Sequence, residues 1–213
     1  MTERVRYPLI ITLICLAASA ALALTFAVTK DRIAESKQKE LGEGLKKVLP
    51  ENQSIGETTL ADGGVVYTAY SGADESGSPV GYAAVGEAQG YSSRIEVLVG
   101  VRPDLEVVAI SILKMQETPG LGERARERPA TRTIWGAIGD LFRGDGGPGE
   151  EPEPAFQKQF RGKTPDELEL TDKQGAEHAI SQLTGATITS RAVVTATERA
   201  IDRIRTHLGR QES

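Results

Sequence analysis

The longest unbroken run of apolar positions lies at the N-terminus. From Tyr7 to Val28 no residue carries a charge, and Leu, Ile and Ala dominate between Arg4 and Arg6 on one side and Lys30, Asp31 and Arg32 on the other. As a helix this run extends about 33 Å, enough to cross a hydrocarbon core of about 30 Å. A cleaved signal peptide is the competing reading, because Ala18-Ser19-Ala20 and Ala21-Leu22-Ala23 both have the small-x-small form of a cleavage site. The apolar run continues through Leu24, Phe26 and Val28, past what a signal region needs, which favours an uncleaved anchor. Counting Lys and Arg on the two sides does not set the orientation. The short tail ahead of a first apolar segment behaves as a signal anchor and places the chain after Lys30 outside the cytoplasm.

Behind the anchor the pattern becomes mixed. Lys30 to Leu49 reads as a stalk helix with apolar positions at Ile33, Leu41, Leu45 and Val48, weakened by Gly42 and Gly44 and stopped by Pro50. Alternating and β-branched runs then predict strands over Val65–Tyr70, Val80–Gly86, Arg94–Val101 and Glu106–Leu113, with the last two forming a hairpin through Arg102-Pro103-Asp104-Leu105. Gln116 to Gly122 carries one Pro and two Gly, too much punctuation for a strand or helix, and predicts a shaped loop. Glu123–Arg132 reads as a charged helical piece interrupted at Pro129. Trp135, Ile138, Leu141 and Phe142 fall at near-helical spacing, and the Gly/Pro/Glu-rich stretch Gly144–Pro154 predicts a disordered surface insertion. Helical periodicity returns over Asp172–Leu183 and over Ser190–Leu208, where Val193, Val194, Ala196, Ala200, Ile201, Ile204 and Leu208 share a broad face.

Strands grouped first and helices at the end predict an α+β fold, a mostly antiparallel sheet packed with C-terminal helices, preceded by a single transmembrane helix. The expected divisions are a cytoplasmic tail (1–6), the anchor (7–28), the stalk (29–50) and an extracytoplasmic domain (51–213) carrying the acidic insertion at about 143–155.

Composition removes several functions. The 213-residue chain has net charge −5 with acidic and basic residues interspersed, so no basic stripe exists for nucleic acid. Its single cysteine, Cys15, lies within the apolar run, which excludes an internal disulfide or a cysteine-based metal cluster. His178 and His207 lack spaced partners and read as exposed helical residues, so neither a triad nor a metal site can be assembled. Phe160-Arg161-Gly162-Lys163-Thr164 ends like a P-loop, but the glycine required earlier falls at Gln157. No dinucleotide fingerprint opens a helix after a strand.

One stretch does suggest chemistry. Thr184-Gly185-Ala186-Thr187-Ile188-Thr189-Ser190 crowds hydroxyls and small residues at a predicted helix start. The first N–H groups of a helix have no intrahelical partner and carry the positive end of its dipole, which suits a phosphate. Gly185 and Ala186 leave the main chain accessible, and Thr187 offers a hydroxyl. Taken alone, the stretch reads first as a Thr-rich turn in which Thr189 or Ser190 caps the following helix.

Together with the N-terminal anchor, the segments Glu117-Thr118-Pro119-Gly120-Leu121-Gly122, Gln159-Phe160-Arg161-Gly162-Lys163 and Thr184–Ser190 followed by Arg191-Ala192-Val193-Val194 resemble the FMN-binding subunits of membrane redox pumps. The resemblance is to the G subunit of Rnf-type ion-translocating ferredoxin:NAD oxidoreductases, with the C subunit of sodium-translocating NADH:quinone reductases as its sister. It covers about Lys30 to Leu208. It implies FMN attached through its phosphate to Thr187, with Thr184, Gly185, Ala186 and Thr189 around it. Pro119, Gly120, Leu121 and Gly122 would form a rigid loop against the flavin, Glu117 and Thr118 would hydrogen-bond it, and Lys163 would balance its charge. A threonine hydroxyl is a weak nucleophile with no base beside it in the sequence, so a separate flavin transferase is implied. Similar motifs often carry Asp six residues before the modified threonine; here that position is Ser181. The implied role is that of an electron carrier among the other membrane and peripheral subunits of a redox pump, with no catalysis of its own. The alternatives are the corresponding flavin subunit of a quinone reductase and a non-redox, membrane-anchored envelope protein that binds a partner.

Overall fold

The computed structural model describes residues 3–49, 54–61, 63–72, 77–127, 153–173, 175 and 178–211. The predicted Trp135–Phe142 cluster and almost all of the acidic insertion lie outside these. Contacts divide the chain into two units, Met1–Gly42 and Glu43–Ser213.

The first unit is helical and belongs to α1 (Glu3–Val48), so the segments expected as anchor and stalk form one helix. Among the described residues this is the one helix long and apolar enough to cross a membrane. Its large side chains face outward, with Leu16, Leu22, Leu24 and Phe26 all more than 65 % exposed. An apolar surface all round a helix is stable when lipid covers it. The threonines within it are accommodated by back-bonding: the hydroxyls of Thr12 and Thr25 donate to the carbonyls of Pro8 and Ala21, each at 2.9 Å.

The second unit is a five-stranded antiparallel meander, β1 (Ser54–Thr59), β2 (Val65–Tyr70), β3 (Pro79–Gln89), β4 (Arg94–Val101) and β5 (Val107–Lys114), in sequence order. The four strands read from sequence are present; the less apolar β1 completes the edge. The predicted β4–β5 hairpin has Val101 opposite Val107, and Leu105 in its turn takes φ +68°. Beyond β5 come a short 3-10 turn (Gly122–Ala125), α2 (Ala155–Lys158), a second 3-10 turn (Pro165–Glu167), the two-residue parallel pair β6 (Leu170–Thr171) and β7 (Ile180–Ser181), and α3 (Thr187–Gln211).

Alternation along the strands sends successive side chains to opposite faces. Ile95, Val97, Val99 and Val101 join Ile110, Ile112, Val66 and Ala84 in the core that receives Val193, Ala196, Ala200, Ile201 and Ile204 of α3. The other face carries Leu98 and Gly100. There Leu98 Cδ2 and Leu113 Cδ2 would stand 3.0 and 3.3 Å from a Cβ at Gly44, and a Cβ at Gly100 would collide with the backbone of Val48. Glycine at Gly44 and Gly100 therefore permits the last turns of α1 to lie on the sheet. The same device seats α3: a Cβ at Gly86 would overlap the Ala196 carbonyl and sit 2.9 Å from Ala200 N.

β2 pairs with β3 only as far as Ala84, leaving the carbonyls of Val85 and Glu87 on an open edge. α3 closes it, because Arg199 donates to Glu87 O at 2.7 Å and Arg203 donates to Val85 O. Bulky charge over an unpaired strand edge blocks further strand addition.

Three sequence expectations are corrected. The described residues of the span Asp172–Leu183 are not helical and include β7, because Ile180 is fully buried and the Gln159 amide fixes Ser181, accepting from its N–H at 2.8 Å and donating to its carbonyl at 3.4 Å. The C-terminal helix starts at Thr187, three residues before Ser190. His207 is helical but buried, edge-on to Tyr82 with ring centroids 6.3 Å apart, whereas His178 is exposed in a turn beside Glu167 at 3.1 Å.

Two outcomes follow. Gly86→Ala forces α3 off the sheet and should cost about 1–3 kcal/mol of unfolding free energy in a urea titration; an unchanged midpoint would show that the helix does not rest on that glycine. Burial lowers the His207 pKa, so on acidification the unfolded chain takes up the proton first. The stability is intact above about pH 6.5 and declines as pH falls below it. The drop in melting temperature between about pH 7.5 and about pH 5.5 should shrink in His207→Gln.

Candidate functional site

The start of α3 is shaped by its own small residues. Gly185 takes φ +77°, Ala186 N–H donates to Leu183 O at 2.9 Å, and the chain enters the helix at Thr187. The Ser190 hydroxyl, fully buried, accepts from Leu183 N–H and donates to Ala186 O, both at 3.0 Å. Ser190 thus ties the turn from inside the first helical turn, and neither it nor Thr189 serves as the N-cap. The first helical hydrogen bond is Ser190 N–H to Ala186 O at 2.9 Å, so the N–H groups of Thr187, Ile188 and Thr189 have no carbonyl one turn back to bond within the helix. Thr187 and Ile188 are exposed, while Thr189 is buried.

Thr189 points inward to the other half of the site. Its hydroxyl donates at 2.8 Å to Oε2 of Glu117, which stands three residues beyond the end of β5 and is only 7 % exposed. The same oxygen accepts Tyr91 N–H at 3.3 Å, and Oε1 accepts the N–H groups of Ser92 and Ser93, each at 3.1 Å. Three consecutive amides of the β3–β4 turn form a nest of partial positive charge around the carboxylate. In return, Ser93 Oγ accepts from Gln116 N–H at 2.8 Å. The cluster is packed too tightly for added side chains: a Cβ at Gly90 would be 2.5 Å from Glu117 Oε1, and one at Gly122 would be 2.6 Å from Thr189 Oγ1.

Between Glu117 and Gly122 the loop folds on itself. Leu121 and Glu123 N–H both donate to Thr118 O, at 3.2 and 3.3 Å, and Gly120 takes φ +75° to make the turn. Thr118, Pro119, Gly120 and Leu121 are exposed. Leu121 Cδ2 lies 3.2 Å from where a Gly185 Cβ would be, so this loop and the Thr184–Ala186 turn are neighbours.

The structure therefore brings together Glu117, Thr118, Pro119, Gly120, Leu121 and Gly122 with Thr184, Gly185, Ala186, Thr187 and Thr189. It does not bring Lys163 to them. The Lys163 carbonyl accepts Val107 N–H at 2.9 Å at the start of β5, the end away from Glu117, and an eight-residue strand runs about 25 Å. The Ser181 hydroxyl is also engaged, donating to Lys173 O at 3.0 Å and accepting from Gly175 N–H at 3.1 Å.

Sequence reading missed the Gly90–Ser93 turn, whose composition signals only a reversal; its role depends on a carboxylate more than twenty positions downstream. It also missed that three large apolar side chains stay in solvent on the segments of this cluster, with Tyr91 at 70 %, Ile188 at 54 % and Leu121 at 44 % exposure. Arg191, one helical turn after Thr187, is exposed on the same side of α3. Among the described residues no group of His, Cys, Asp and Glu could hold a metal ion.

A family model for the FMN-binding domain matches residues 90–202, a span that begins at the Gly90 turn and includes every segment of the cluster. The G subunit of the ion-translocating oxidoreductase complex of Aliivibrio fischeri is 32 % identical over 220 residues, covering 97 % of this chain and 93 % of that protein. The G subunit of the same name from Methanosarcina acetivorans is 31 % identical over 91 % of each chain. The G subunit of the proton-translocating ferredoxin:NAD(+) oxidoreductase complex of Clostridium ljungdahlii is 32 % identical over 64 % of this chain and 60 % of that one. Among solved structures, Shewanella oneidensis NqrC aligns with a TM-score of 0.42 at 18 % identity, covering 73 % of this chain and 66 % of that one.

The positive φ at Gly185 yields a local outcome. Gly185→Ala should lower unfolding free energy by about 1–2 kcal/mol through left-handed backbone strain, with the methyl also pressing on Leu121. Urea denaturation measures it, and an unchanged midpoint would mean that the turn relaxes without resistance.

Proposed function

Because the chain belongs to the FMN-binding domain family, we propose that it is the flavin-bearing G subunit of an ion-translocating oxidoreductase complex, with FMN held by a phosphoester to Thr187. The observation that carries this reading is the exposed Thr187 hydroxyl at the first position of α3, flanked by Gly185 and Ala186 and overlooked by the Thr118–Leu121 loop. A phosphate there meets the unpaired N–H groups of the first helical turn. Arg191 adds a cation one turn away. The exposed Leu121, Ile188 and Tyr91 offer apolar and aromatic surface for a tricyclic ring system.

When bound, the flavin supplies the acceptance and release of electrons; the protein supplies attachment, orientation and local electrostatics. Attachment uses an activated flavin nucleotide and a separate transferase. The Thr187 Oγ1–P bond forms as the bond from that phosphorus to the donor's leaving group breaks, and the hydroxyl proton passes to a base of the transferase. A dedicated transferase fits a hydroxyl that is exposed but has no activating base of its own in the sequence.

Relatives at about 30 % identity are subunits of multi-subunit redox complexes, which fits a role as carrier between redox centres of neighbouring subunits. One apolar helix cannot build an ion pathway, and its apolar run contains no charged residue to mark one. We place the protein in the bacterial inner membrane with the chain after Lys30 on the extracytoplasmic side. There a covalent bond retains the flavin where no soluble pool replaces it.

Denaturing gel electrophoresis tests attachment. The wild-type chain, made in cells that contain the transferase, should give a flavin-fluorescent band, and Thr187→Ala should lose it while keeping the wild-type melting temperature of the bare polypeptide. A fluorescent Thr187→Ala band would move the attachment elsewhere. A dark wild-type band would favour a non-redox envelope protein.

A further inference from the structure

We infer that Glu117 is a positioning residue of the flavin site, acting through Thr189 to hold the Thr118–Gly122 loop against the start of α3; this rests on the reading of Thr187 as the attachment point. The carboxylate is saturated. An ionised carboxylate offers about four acceptor positions, and here each oxygen already accepts two bonds: Ser92 and Ser93 N–H on Oε1, Tyr91 N–H and the Thr189 hydroxyl on Oε2. With the residue 7 % exposed, no lone pair is left for the polar edge of a flavin, so a direct hydrogen bond from the Glu117 carboxylate to the ring is not its function.

Its four partners come from two separate segments, and its own backbone provides the third. One side chain thus fastens the β3–β4 turn, the loop after β5 and the second residue beyond Thr187. The Leu121 side chain reaches the Gly185 turn from this same loop, so the spacing between the exposed loop and the Thr187 hydroxyl is set by the Glu117–Thr189 bond. Glycine at positions 90 and 122 is the steric complement of that arrangement. A flavin tethered at Thr187 then meets a loop that is already in place, which spares the ordering cost of assembling it around the ring.

Full-length Glu117→Gln, Thr189→Val and Thr189→Ser, each produced with a flavin transferase, test this. A Gln amide keeps one acceptor oxygen and must turn its NH2 toward donors that formerly pointed at an anion; Val keeps the volume of Thr but lacks the hydroxyl; Ser restores the hydroxyl. The measurements are flavin per polypeptide, visible circular dichroism per bound flavin, and the melting temperature of the flavin-free Thr187→Ala background. Glu117→Gln and Thr189→Val should alter the visible dichroism per flavin in the same sense. Loading under limiting transferase should fall by about tenfold, the factor carried by one hydrogen bond to a charged group. Thr189→Ser should return both to wild type.

If both variants melt lower yet bind flavin with wild-type loading and dichroism, Glu117 is a fold staple and the inference fails. A flavin signal altered by Glu117→Gln but not by Thr189→Val would mean direct contact and also overturns it. A wild-type chain without flavin removes the attachment reading and this inference together, so the two failures are told apart by the wild type alone.

Discussion

A buried carboxylate that accepts four hydrogen bonds organises one end of this protein. Removing an ionised group from water is expensive unless its acceptor positions are filled. Glu117 meets that condition with three successive backbone amides and one hydroxyl. The amides belong to a turn between strands, the hydroxyl to the first turn of α3, and the carboxylate to the loop between them. Because leaving any of these donors or acceptors unpaired in the interior carries a penalty, the three segments hold one another in register, and the Thr187 hydroxyl is displayed from a fixed platform.

The sheet is what allows that platform to exist. α3 lies flat on β3 because position 86 has no side chain, and its arginines close the edge that the short β2 leaves open. The helix therefore begins at the sheet end where the β3–β4 turn and the post-β5 loop also emerge. Burying Thr189 and Ser190 while exposing Thr187 and Ile188 follows from helical rotation at that contact. The position of the helix start thus arises from packing several turns away, through Ala196 and Ala200 on Gly86.

Much of this was legible in the amino-acid order. The anchor follows from an uncharged apolar run, the four inner-pattern strands from β-branched alternation, and the loop at Gln116–Gly122 from its Pro and Gly. The Thr-Gly-Ala-Thr turn announced itself by small residues before an amphipathic helix. What could not be read is of another kind. The polar strand β1 has no apolar alternation and exists because β2 offers it an edge. Asp172–Leu183 has helical composition but is overruled by tertiary bonds from Gln159 to Ser181. Glu117 reads as a residue of the cofactor loop, and only its neighbours in space, Tyr91 to Ser93, reveal that its oxygens are already used. Lys163 adjoins a sequence motif but is pinned at the far end of β5. Local propensity and motif order specify segments; which segments meet depends on pairings across tens of residues.

The central claim is that a flavin nucleotide is esterified to one hydroxyl at the start of α3. The most direct measurement is tandem mass spectrometry of a tryptic digest of the native protein, following the peptide that ends at Arg191 and contains Ser181, Thr184, Thr187, Thr189 and Ser190. The account predicts that this peptide carries the mass of one FMN less one water, with fragment ions placing it on Thr187. An unmodified peptide from cells that contain an active transferase, or a flavin on any other hydroxyl of that peptide, would contradict it.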